Sequence, residues 1–376
     1  MKIAILGNAM STMIRFRGPL IRALADLGHD VVAICPSGSP DEIRALEAFG
    51  GRHVPLDALS RQGMNPRGEL RMLKALTAVL TELRPDRLFA YFLKPVIWGA
   101  IAARRAGVAR SVGLIEGMGF AFSRPPETFV ARMRQRLVRL SILALLRISL
   151  ARIDHLVVLN RDDQALLRRH RLIPAARLTV IDGIGIDLDA FPPAPLPDVP
   201  PCFTLAARLI REKGIEVFAH AARLVRATCP EARFCLLGGL DDAPGALTRA
   251  QIETWVGAGL LEWHGHVADV RPFLRETTVF VLPTMYREGL PRSIMEAMSM
   301  GRPIITTDMP GARDAITDGQ SGLIVPPGDA QALAAACLRF FADPALARRF
   351  GLAARAEAER RFDLRLQNQK QIELIL

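Results

Sequence analysis

The chain has 376 residues, half of them hydrophobic and 6% aromatic, and its formal net charge at pH 7 is +11. This length accommodates two domains with full cores, and the positive charge favours anionic partners such as phosphorylated substrates, anionic lipid or nucleic acid. The low aromatic content argues against a platform that stacks single-stranded bases, and no apolar run reaches the roughly 20 residues of a membrane-spanning helix.

The N-terminus and the cysteines indicate the compartment. The apolar start, residues 2–6, is too short for a signal peptide and leads directly into a Gly-Asn loop. The five cysteines are scattered and include no C-x-x-C pair, so neither a disulfide framework nor a zinc site is indicated. We expect a cytoplasmic protein with no metal site and no cofactor.

The first half of the chain alternates short apolar runs with helical periodicity. Strands are predicted at residues 2–6, 30–35, 87–92, 110–115, 155–159 and 178–181. Helices are predicted at residues 18–27, 40–49, 68–83 and 96–106. This alternation is typical of a doubly wound parallel sheet.

The loop after the first strand carries candidate binding residues. We expect Gly7 to let the backbone turn tightly at the carboxyl edge of the sheet, where open α/β sheets bind ligands. No G-x-G-x-x-G follows, which argues against a nicotinamide oxidoreductase. Arg17 has two interpretations of equal weight, a solvated loop charge or a clamp for an acceptor phosphate. For Arg104 and Arg105 we favour solvation.

Residues 132–152 form an unusual basic segment without an acidic residue. On a helical wheel its arginines fall in a stripe ~80° wide, with leucine and isoleucine on most of the remaining face. The stripe consists of Arg132, Arg136, Arg139 and Arg147. One interpretation is a core helix with solvated arginines; the other, which we favour, is a helix lying on an anionic membrane surface with part of its apolar face on the sheet.

Residues 191–201, FPPAPLPDVPP, are the clearest domain boundary, because prolines make a stiff connector. Just before them, Asp187 and Asp189 spell D-x-D, a metal motif in another fold, which we interpret here as turn and capping chemistry.

The second half again alternates strands and helices, and its charges cluster at strand ends. Arg208 and Lys213 flank a strand-to-helix loop, where two cations can neutralise a diphosphate leaving group. Residues 279–307 predict a strand, a loop with Glu288, a helix opened by Pro291 that carries Glu296, and a second strand. The exposed N–H groups of that helix form an anion site.

These motifs resemble those of the retaining GT-B glycosyltransferases of family 4. EGLPRSIMEAM resembles the family's E-x7-E motif, residues 208–213 its R-x4-K pair, and GIGIDLDAF its passage out of the first domain. The stretches GNAMSTMIRFRGPL, YFLKPVIWGAIAARRAGV and GLIEGMGFAF resemble enzymes of the family that extend polyprenyl-diphosphate-linked saccharides. In many members a histidine occupies the region of Glu116, and here none does.

The resemblance implies a GT-B fold, with two Rossmann-like doubly wound domains facing each other across a cleft. It implies an N-terminal acceptor domain at 1–190, a linker at 191–201, a C-terminal nucleotide-sugar domain at 202–355 and a C-terminal helix at 356–376 that crosses back. The enzyme would move a hexose or N-acetylhexosamine from a nucleotide sugar, UDP-linked by expectation, to a polyprenyl-diphosphate-linked saccharide. It would need no metal and would lie on the inner face of the cell membrane.

The resemblance also implies the site residues. The implied catalytic residues are Glu288, Arg208, Lys213 and Glu116. The implied donor-binding residues are Gly7, Arg208, Lys213, Gly238, Val267, Glu288, Gly289, Leu290, Pro291, Arg292, Ser293 and Glu296. The acceptor would lie near Asn8, Arg17 and Lys94. The alternatives are a sugar-nucleotide epimerase or phosphorylase of the same fold, and a basic nucleic-acid-binding protein.

Overall fold

The computed structural model describes residues 1–59, 66–119, 122, 128–197, 200–241, 243 and 245–376. It divides into two compact units. The first is built on the chain up to Ile184 together with Arg365–Leu376, and the second on Gly185–Leu364.

The first unit is a parallel sheet with helices between its strands. The strands are β1 (Lys2–Leu6), β2 (Asp30–Cys35), β3 (Gly51–Pro55), β4 (Arg87–Tyr91), β5 (Arg110–Ile115), β6 (His155–Val158) and β7 (Leu178–Val180). The helices are α1 (Met10–Thr12), α2 (Gly18–Asp26), α3 (Pro40–Glu47), α4 (Pro66–Leu83), α5 (Leu93–Ala106), α6 (Phe129–Leu150) and α7 (Arg161–Arg169). The strand order is β3-β2-β1-β4-β5-β6-β7. From β1 the chain builds the sheet first to one side and then, from β4, to the other, and such a switch point leaves a crevice at the carboxyl ends of β1 and β4.

Strand β3 is absent from the predicted elements. Its sequence, GRHVP, has no apolar run, and of its residues only Gly51 is buried. It lies at the edge of the sheet, where most of its side chains can stay in contact with solvent. It therefore lacks the continuous apolar run that identifies the buried strands.

The second unit repeats this architecture. Its strands are β8 (Cys202–Ala206), β9 (Arg233–Leu237), β10 (Glu262–Trp263), β11 (Val279–Leu282), β12 (Ile304–Thr307) and β13 (Gly322–Val325), in the order β10-β9-β8-β11-β12-β13. Its helices are α8 (Ile215–Arg226), α9 (Arg249–Gly257), α10 (Arg271–Glu276), α11 (Arg292–Ser299), α12 (Ala330–Ala342) and α13 (Pro344–Arg361). Helix α14 (Leu364–Ile375) follows, and from Arg365 onward it belongs to the first unit.

The border between the units differs from the predicted bounds. The first unit ends at Ile184 rather than at 190, and the return to it begins at Arg365 rather than at 356. The reason is a bridge within the second unit, in which Ile186 pairs with Asp363 and its N–H donates to the carbonyl of Phe362 at 2.7 Å. These contacts tie the residues after Gly185 to the end of α13.

The proline-rich segment that we predicted as a linker is fastened to the second unit. Arg302 is fully buried and donates to the backbone carbonyls of Thr277 at 2.9 Å and Pro195 at 3.0 Å. Arg355 donates to the carbonyl of Phe191 at 3.0 Å. Burial lowers the pKa of Arg302 to about 10, so its guanidinium is still charged at pH 7. The segment is therefore held by side chains as well as stiffened by proline.

Within the described ranges, no helix combines the length and the apolar character needed to cross a bilayer. All five cysteines are buried free thiols.

Candidate active site

The loop between β8 and α8 brings Lys213 to the carboxyl edge of the second sheet. Arg211–Lys213 forms a single 3-10 turn, and Gly214 follows it with φ +78°. A Cβ at Gly214 would lie 2.0 Å from the carbonyl oxygen of Pro283, just after β11. Only glycine permits both this backbone conformation and this approach, so the position of Lys213 beside the β11 loop is fixed.

Lys213 forms an ion pair with Glu288, and only 14% and 12% of their side chains are exposed. The Glu288 oxygen in this pair also lies 3.2 Å from the hydroxyl of Thr284. The ring centre of Tyr286 is 5.8 Å from the Lys213 ammonium. The structure thus brings Lys213, predicted to neutralise the diphosphate, into direct contact with Glu288, which was also predicted to bind the donor.

Thr284, which the sequence analysis missed, organises the loop that carries Glu288. Its side chain is buried, and its hydroxyl lies 3.2 Å from both the Glu212 carbonyl and the Glu288 carboxylate. The same hydroxyl accepts a bond of 3.1 Å from the N–H of Tyr286, and the hydroxyl of Thr307 donates to the Thr284 carbonyl at 2.5 Å. A threonine at the end of an apolar run carries no sequence signal of this role.

Gly311 is a second residue that the sequence analysis missed. Its φ is +79°, and a Cβ there would lie 2.2 Å from the carbonyl oxygen of Gly289 and 2.6 Å from that of Glu288. The Glu288 N–H donates to the carbonyl of Pro310 at 3.2 Å. The turn at Pro310 and Gly311 therefore supports the backbone of the Glu288 loop from the side of β12.

Arg208 stands apart from Lys213 in its surroundings. Its side chain is 58% exposed and lies 3.4 Å from the carboxylate of Asp241. An exposed pair of this kind contributes little to stability, so its cation remains available to a ligand. Gly238 was predicted to bind the donor. The structure gives a different reason for a glycine at this position: a Cβ there would lie 2.0 Å from the carbonyl oxygen of Ala207, in the loop that carries Arg208.

Helix α11 holds the second glutamate of the motif. Pro291 is the N-cap rather than the first helical residue as predicted, with φ −65° and ψ 118°. Glu296 accepts a bond of 2.9 Å from Nε of Arg292 one turn earlier, and its side chain is 13% exposed. Leu290 is buried and Ser293 is half-buried at the start of this helix.

Val267 lies after β10 and is half-buried against a small cluster of Cys202, Cys235 and Leu237. Its place in the donor-binding site stays a prediction.

In the first unit, Arg17 and Glu116 form an ion pair whose side chains are 1% and 13% exposed. The Arg17 guanidinium lies 4.4 Å from the ring centre of Tyr91 and 5.8 Å from that of Phe89. Burial raises the pKa of Tyr91, whose hydroxyl lies 3.2 Å from that of Thr12. The predicted solvated loop charge is wrong for Arg17, because aromatic rings and a carboxylate enclose its guanidinium.

The remaining acceptor candidates lie at the same carboxyl edge. Lys94, in the first turn of α5, pairs with Glu69 at 2.6 Å. Asn8 has a buried side-chain oxygen without a hydrogen-bond partner among the described residues. The predicted tight turn at Gly7 is not the reason for its glycine: a Cβ there would lie 2.2 Å from the Tyr91 hydroxyl, so the ring of Tyr91 requires it.

Helix α6, predicted as a basic amphipathic segment, begins at Phe129, after the N-cap Thr128. It packs on α5 through a face that includes Ile142, Leu146 and Leu150. Its exposed large hydrophobic side chains are Phe129, Val130, Met133, Leu137, Leu140 and Ile148. The predicted stripe of Arg132, Arg136, Arg139 and Arg147 is exposed as well.

The D-x-D pair has the structural role that we predicted. The Asp187 carboxylate accepts bonds from the N–H groups of Asp189 at 3.0 Å and Ala190 at 3.2 Å, which closes a turn. Across the part of the chain that the structure describes, no cluster of three or more His, Cys, Asp or Glu residues is arranged to hold a metal ion.

Comparison with known families identifies the chain as a glycosyltransferase. The model described as "Glycosyl transferases group 1" matches residues 200–343, and the model described as "Glycosyl transferase 4-like domain" matches residues 13–182. Together they span most of both units, and the chain belongs to this glycosyltransferase family. The predicted family and activity are confirmed, and nothing supports the epimerase or nucleic-acid-binding alternatives.

Two curated relatives carry informative names. The N,N'-diacetylbacillosaminyl-diphospho-undecaprenol alpha-1,3-N-acetylgalactosaminyltransferase of Campylobacter jejuni is 28% identical, over 86% of this chain and 85% of the relative. The UDP-Gal:alpha-D-GlcNAc-diphosphoundecaprenol alpha-1,3-galactosyltransferase of Escherichia coli is 25% identical, over 74% of this chain and 72% of the relative.

Solved structures confirm the predicted GT-B fold. Sucrose-phosphate synthase from Thermosynechococcus elongatus superimposes with a TM-score of 0.81 at 21% identity, covering 100% of this chain and 98% of that one. The Anabaena protein HepE in complex with UDP and glucose gives a TM-score of 0.73 at 18% identity, with 99% and 98% covered.

Proposed function

We propose that this glycosyltransferase moves a hexose or N-acetylhexosamine from a UDP-linked sugar to a polyprenyl-diphosphate-linked saccharide during synthesis of a surface polysaccharide or glycan. The observation that carries the proposal is the contact of Lys213 with Glu288 at the carboxyl edge of the second sheet. The names of the two relatives support the acceptor class, and the name of the Escherichia coli relative supports the UDP donor.

The donor binds at the carboxyl edge of the second sheet. Arg208, Lys213 and the N–H groups at the start of α11, around Arg292 and Ser293, neutralise the diphosphate. Glu288 accepts hydrogen bonds from hydroxyls of the donor sugar, and Glu296 from the ribose. Val267, Gly238 and the backbone from Gly289 to Pro291 line the nucleotide. Because carboxylates accept hydroxyl donors and cations hold phosphate oxygens, each group contacts the part of the donor that its charge suits.

Transfer proceeds with retention and without a metal ion. The acceptor hydroxyl oxygen forms a bond to the anomeric carbon on the face from which the diphosphate leaves, and the bond from that carbon to the diphosphate oxygen breaks. The hydroxyl proton passes to the departing phosphate oxygen. Lys213 and Arg208 stabilise the negative charge that develops there, which is the task a divalent ion performs in other enzymes.

The acceptor binds at the carboxyl edge of the first sheet. Lys94 offers a cation to the diphosphate of the acceptor. The buried side-chain oxygen of Asn8, which has no hydrogen-bond partner among the described residues, offers an acceptor to a hydroxyl of the saccharide. Glu116 lies at the end of β5 beside them. Arg17 acts through Glu116, because its buried guanidinium fixes the orientation of that carboxylate.

Helix α6 places the enzyme on the membrane surface. Its exposed apolar residues enter the headgroup region, and the stems of Arg132, Arg136 and Arg139 lie along the interface with their charges on anionic lipid. An acceptor held on a polyprenyl diphosphate lies at the same surface, so this docking brings the enzyme to its substrate.

One experiment tests the reaction. The protein is incubated with a panel of nucleotide sugars and undecaprenyl-diphosphate-linked mono- and disaccharides, and products are identified by mass spectrometry and by NMR of the new linkage. We expect one UDP-sugar to extend the lipid-linked saccharide with a retained anomeric configuration, at the same rate with EDTA. Conversion of a nucleotide sugar without acceptor, an inverted product, or activity that EDTA removes and Mg²⁺ restores would each contradict the proposal.

A further inference from the structure

A second cationic site lies on the first unit, at the opposite edge of its sheet from Glu116. A cavity of about 510 Å³ opens between the ends of α6 and α7 and the start of β7. Four arginines line it, and they are Arg147, Arg168, Arg171 and Arg177. The other described residues that line it are apolar, and none of the lining side chains is acidic.

Two of the four arginines are explained by the helix ends. Arg147 donates to the carbonyl of His170 at 3.0 Å, and Arg177 to the carbonyl of Ile153 at 2.8 Å. Basic side chains commonly hold the last carbonyls of helices and offset the negative end of the helix dipole. These two contacts are structural, and they leave a pair of arginines unaccounted for.

Arg168 and Arg171 have no such partner. Both are exposed, and neither side chain makes a hydrogen bond or an ion pair with any described residue. Each keeps all five N–H donors of its guanidinium for another molecule. The guanidinium groups of Arg168 and Arg171, with Arg147 and Arg177 beside them, form a site for an anion that can accept several hydrogen bonds at once.

The pKa of His170 reflects its burial and the positive charges close to this cavity. Burial lowers the pKa of His170, and the nearby positive charges of Arg139, Arg169 and Arg147 lower it further. The charges that act on His170 are positive, and one of these arginines, Arg147, also lines the cavity. An anion that enters the cavity would reduce the repulsion between its arginines.

We propose that this cavity binds a phosphate-bearing anion through Arg168 and Arg171, with Arg147 and Arg177 adding charge. The ligand chemistry is a diphosphate or phosphomonoester, supplied either in solution or by the headgroup of a lipid. The site goes beyond the transferase reaction, because it lies at the amino edge of the first sheet, whereas the acceptor residues lie at the carboxyl edge.

Residue-resolved chemical modification tests the site without any substitution. Phenylglyoxal modifies exposed arginines, and mass spectrometry measures the rate at each one. The probes are inorganic pyrophosphate, vesicles of phosphatidylcholine, and the same vesicles containing phosphatidic acid. The internal control is Arg84, which shares with Arg171 an exposed side chain and a left-handed backbone, φ 47° and 49°, but does not line the cavity.

We expect pyrophosphate, phosphatidic acid vesicles or both, at about ten times the dissociation constant, to slow modification of Arg168 and Arg171 by roughly tenfold, because only about one site in ten then stays unoccupied. The rate at Arg84 should stay unchanged. Protection by pyrophosphate indicates a soluble ligand, and protection only by phosphatidic acid vesicles indicates a headgroup. Rates at Arg168 and Arg171 that neither probe changes, or that change equally at Arg84, would overturn the proposal.

A matched pair of variants gives the second arm. Arg168→Gln/Arg171→Gln and Arg84→Gln/Arg104→Gln each remove two exposed positive charges from the first unit. Binding of whichever probe protected the site should weaken by roughly tenfold or more in the first variant only. Equal binding by both variants, with melting temperatures that show both are folded, would also overturn the site.

Discussion

The two units share one architecture, but the basic residue at the carboxyl edge of the sheet is enclosed in the first unit and partly exposed in the second. Each pairs a basic residue from the segment between its first strand and the next long helix with a glutamate from the segment after a later strand. In the first unit the pair is Arg17 with Glu116, and in the second it is Lys213 with Glu288. The side chain of Arg17 is 1% exposed and that of Lys213 is 14% exposed.

The chemistry of the two cations matches this difference. Arg17 carries a planar, weakly hydrated group that stacks on Tyr91, which suits permanent burial. Lys213 carries a compact ammonium on a flexible stem, which can turn from Glu288 to a phosphate oxygen. The first pair is therefore a fixed support for the carboxylate, and the second is a pair that a ligand can separate.

The largest effect should follow from removing the buried cation. Arg17→Met leaves the Glu116 carboxylate without its partner, and we expect the free energy of unfolding to fall by about 3–5 kcal/mol. Urea denaturation followed by circular dichroism measures it. The control is Arg15→Met, an exposed arginine of the same turn, which should change stability by no more than about 0.5 kcal/mol.

A second variant keeps this test sharp. Arg17→Met/Glu116→Gln removes both charges, so it should recover part of the lost stability. If Arg17→Met were as stable as Arg15→Met, Arg17 would not be the fixed support that its burial indicates.

The next effect concerns activity rather than stability. In the proposed mechanism, Lys213 and Arg208 stabilise the negative charge that develops on the diphosphate. Lys213→Met and Arg208→Ala should therefore each cost about 2.7–4 kcal/mol, or roughly 10²–10³ in kcat. The measurement is steady-state kinetics with the UDP-sugar that the panel identifies. Arg211→Met changes an exposed residue of the same turn, paired with Glu216, and should keep its activity. Folded Lys213→Met with near-normal turnover would remove Lys213 from the site.

The fold could be predicted from the sequence because strands buried on both faces are continuous apolar runs, and both halves of the chain contain them. The runs at β1, β2 and β5 were predicted with their observed bounds. The half-exposed edge strand β3 has no such run and was missed.

The site could be predicted less completely. Arg15 and Arg17 look alike in sequence, and only packing against Tyr91 and Phe89 distinguishes the buried one. The motif indicated Lys213 and Glu288 as residues of one site, but their contact depends on Gly214 and its approach to Pro283. Contacts of this kind join residues far apart in the chain, and a single sequence carries no signal of them.

A smaller effect should follow from Gly311→Ala. The added Cβ meets the carbonyls of Glu288 and Gly289, and alanine disfavours φ +79°, so we expect a loss of about 1–3 kcal/mol in stability. If the loop moves to accommodate it, the KM for the donor should rise, since Glu288 moves with its backbone. Gly319→Ala is the control, with φ +72° but no atom within 4 Å of the added Cβ. Equal stability and equal KM in the two variants would show that the turn does not support Glu288.

The smallest effect per residue concerns membrane binding by the exposed face of α6 in the first unit. The first unit exposes six large hydrophobic side chains on the single helix α6. Phe129, Met133, Leu137 and Leu140 recur every three or four residues and share one face of the helix. If this face docks on a membrane, each flanking arginine adds roughly 1 kcal/mol of attraction to an anionic surface.

Flotation with vesicles separates this docking from the general positive charge of the chain. Binding should rise with anionic lipid and fall with salt, because the attraction is screened. Arg132→Gln/Arg136→Gln/Arg139→Gln should weaken binding by roughly 100-fold, since three arginines together contribute about 3 kcal/mol. Arg147 is left intact because it also lines the arginine cavity near α7. The control Arg84→Gln/Arg104→Gln/Arg105→Gln removes the same charge from exposed positions outside α6 and should float like the parent. Equal loss of vesicle binding in both triple variants would show that binding depends only on net charge. A parent protein that does not float would show that the exposed face of α6 does not dock on a membrane.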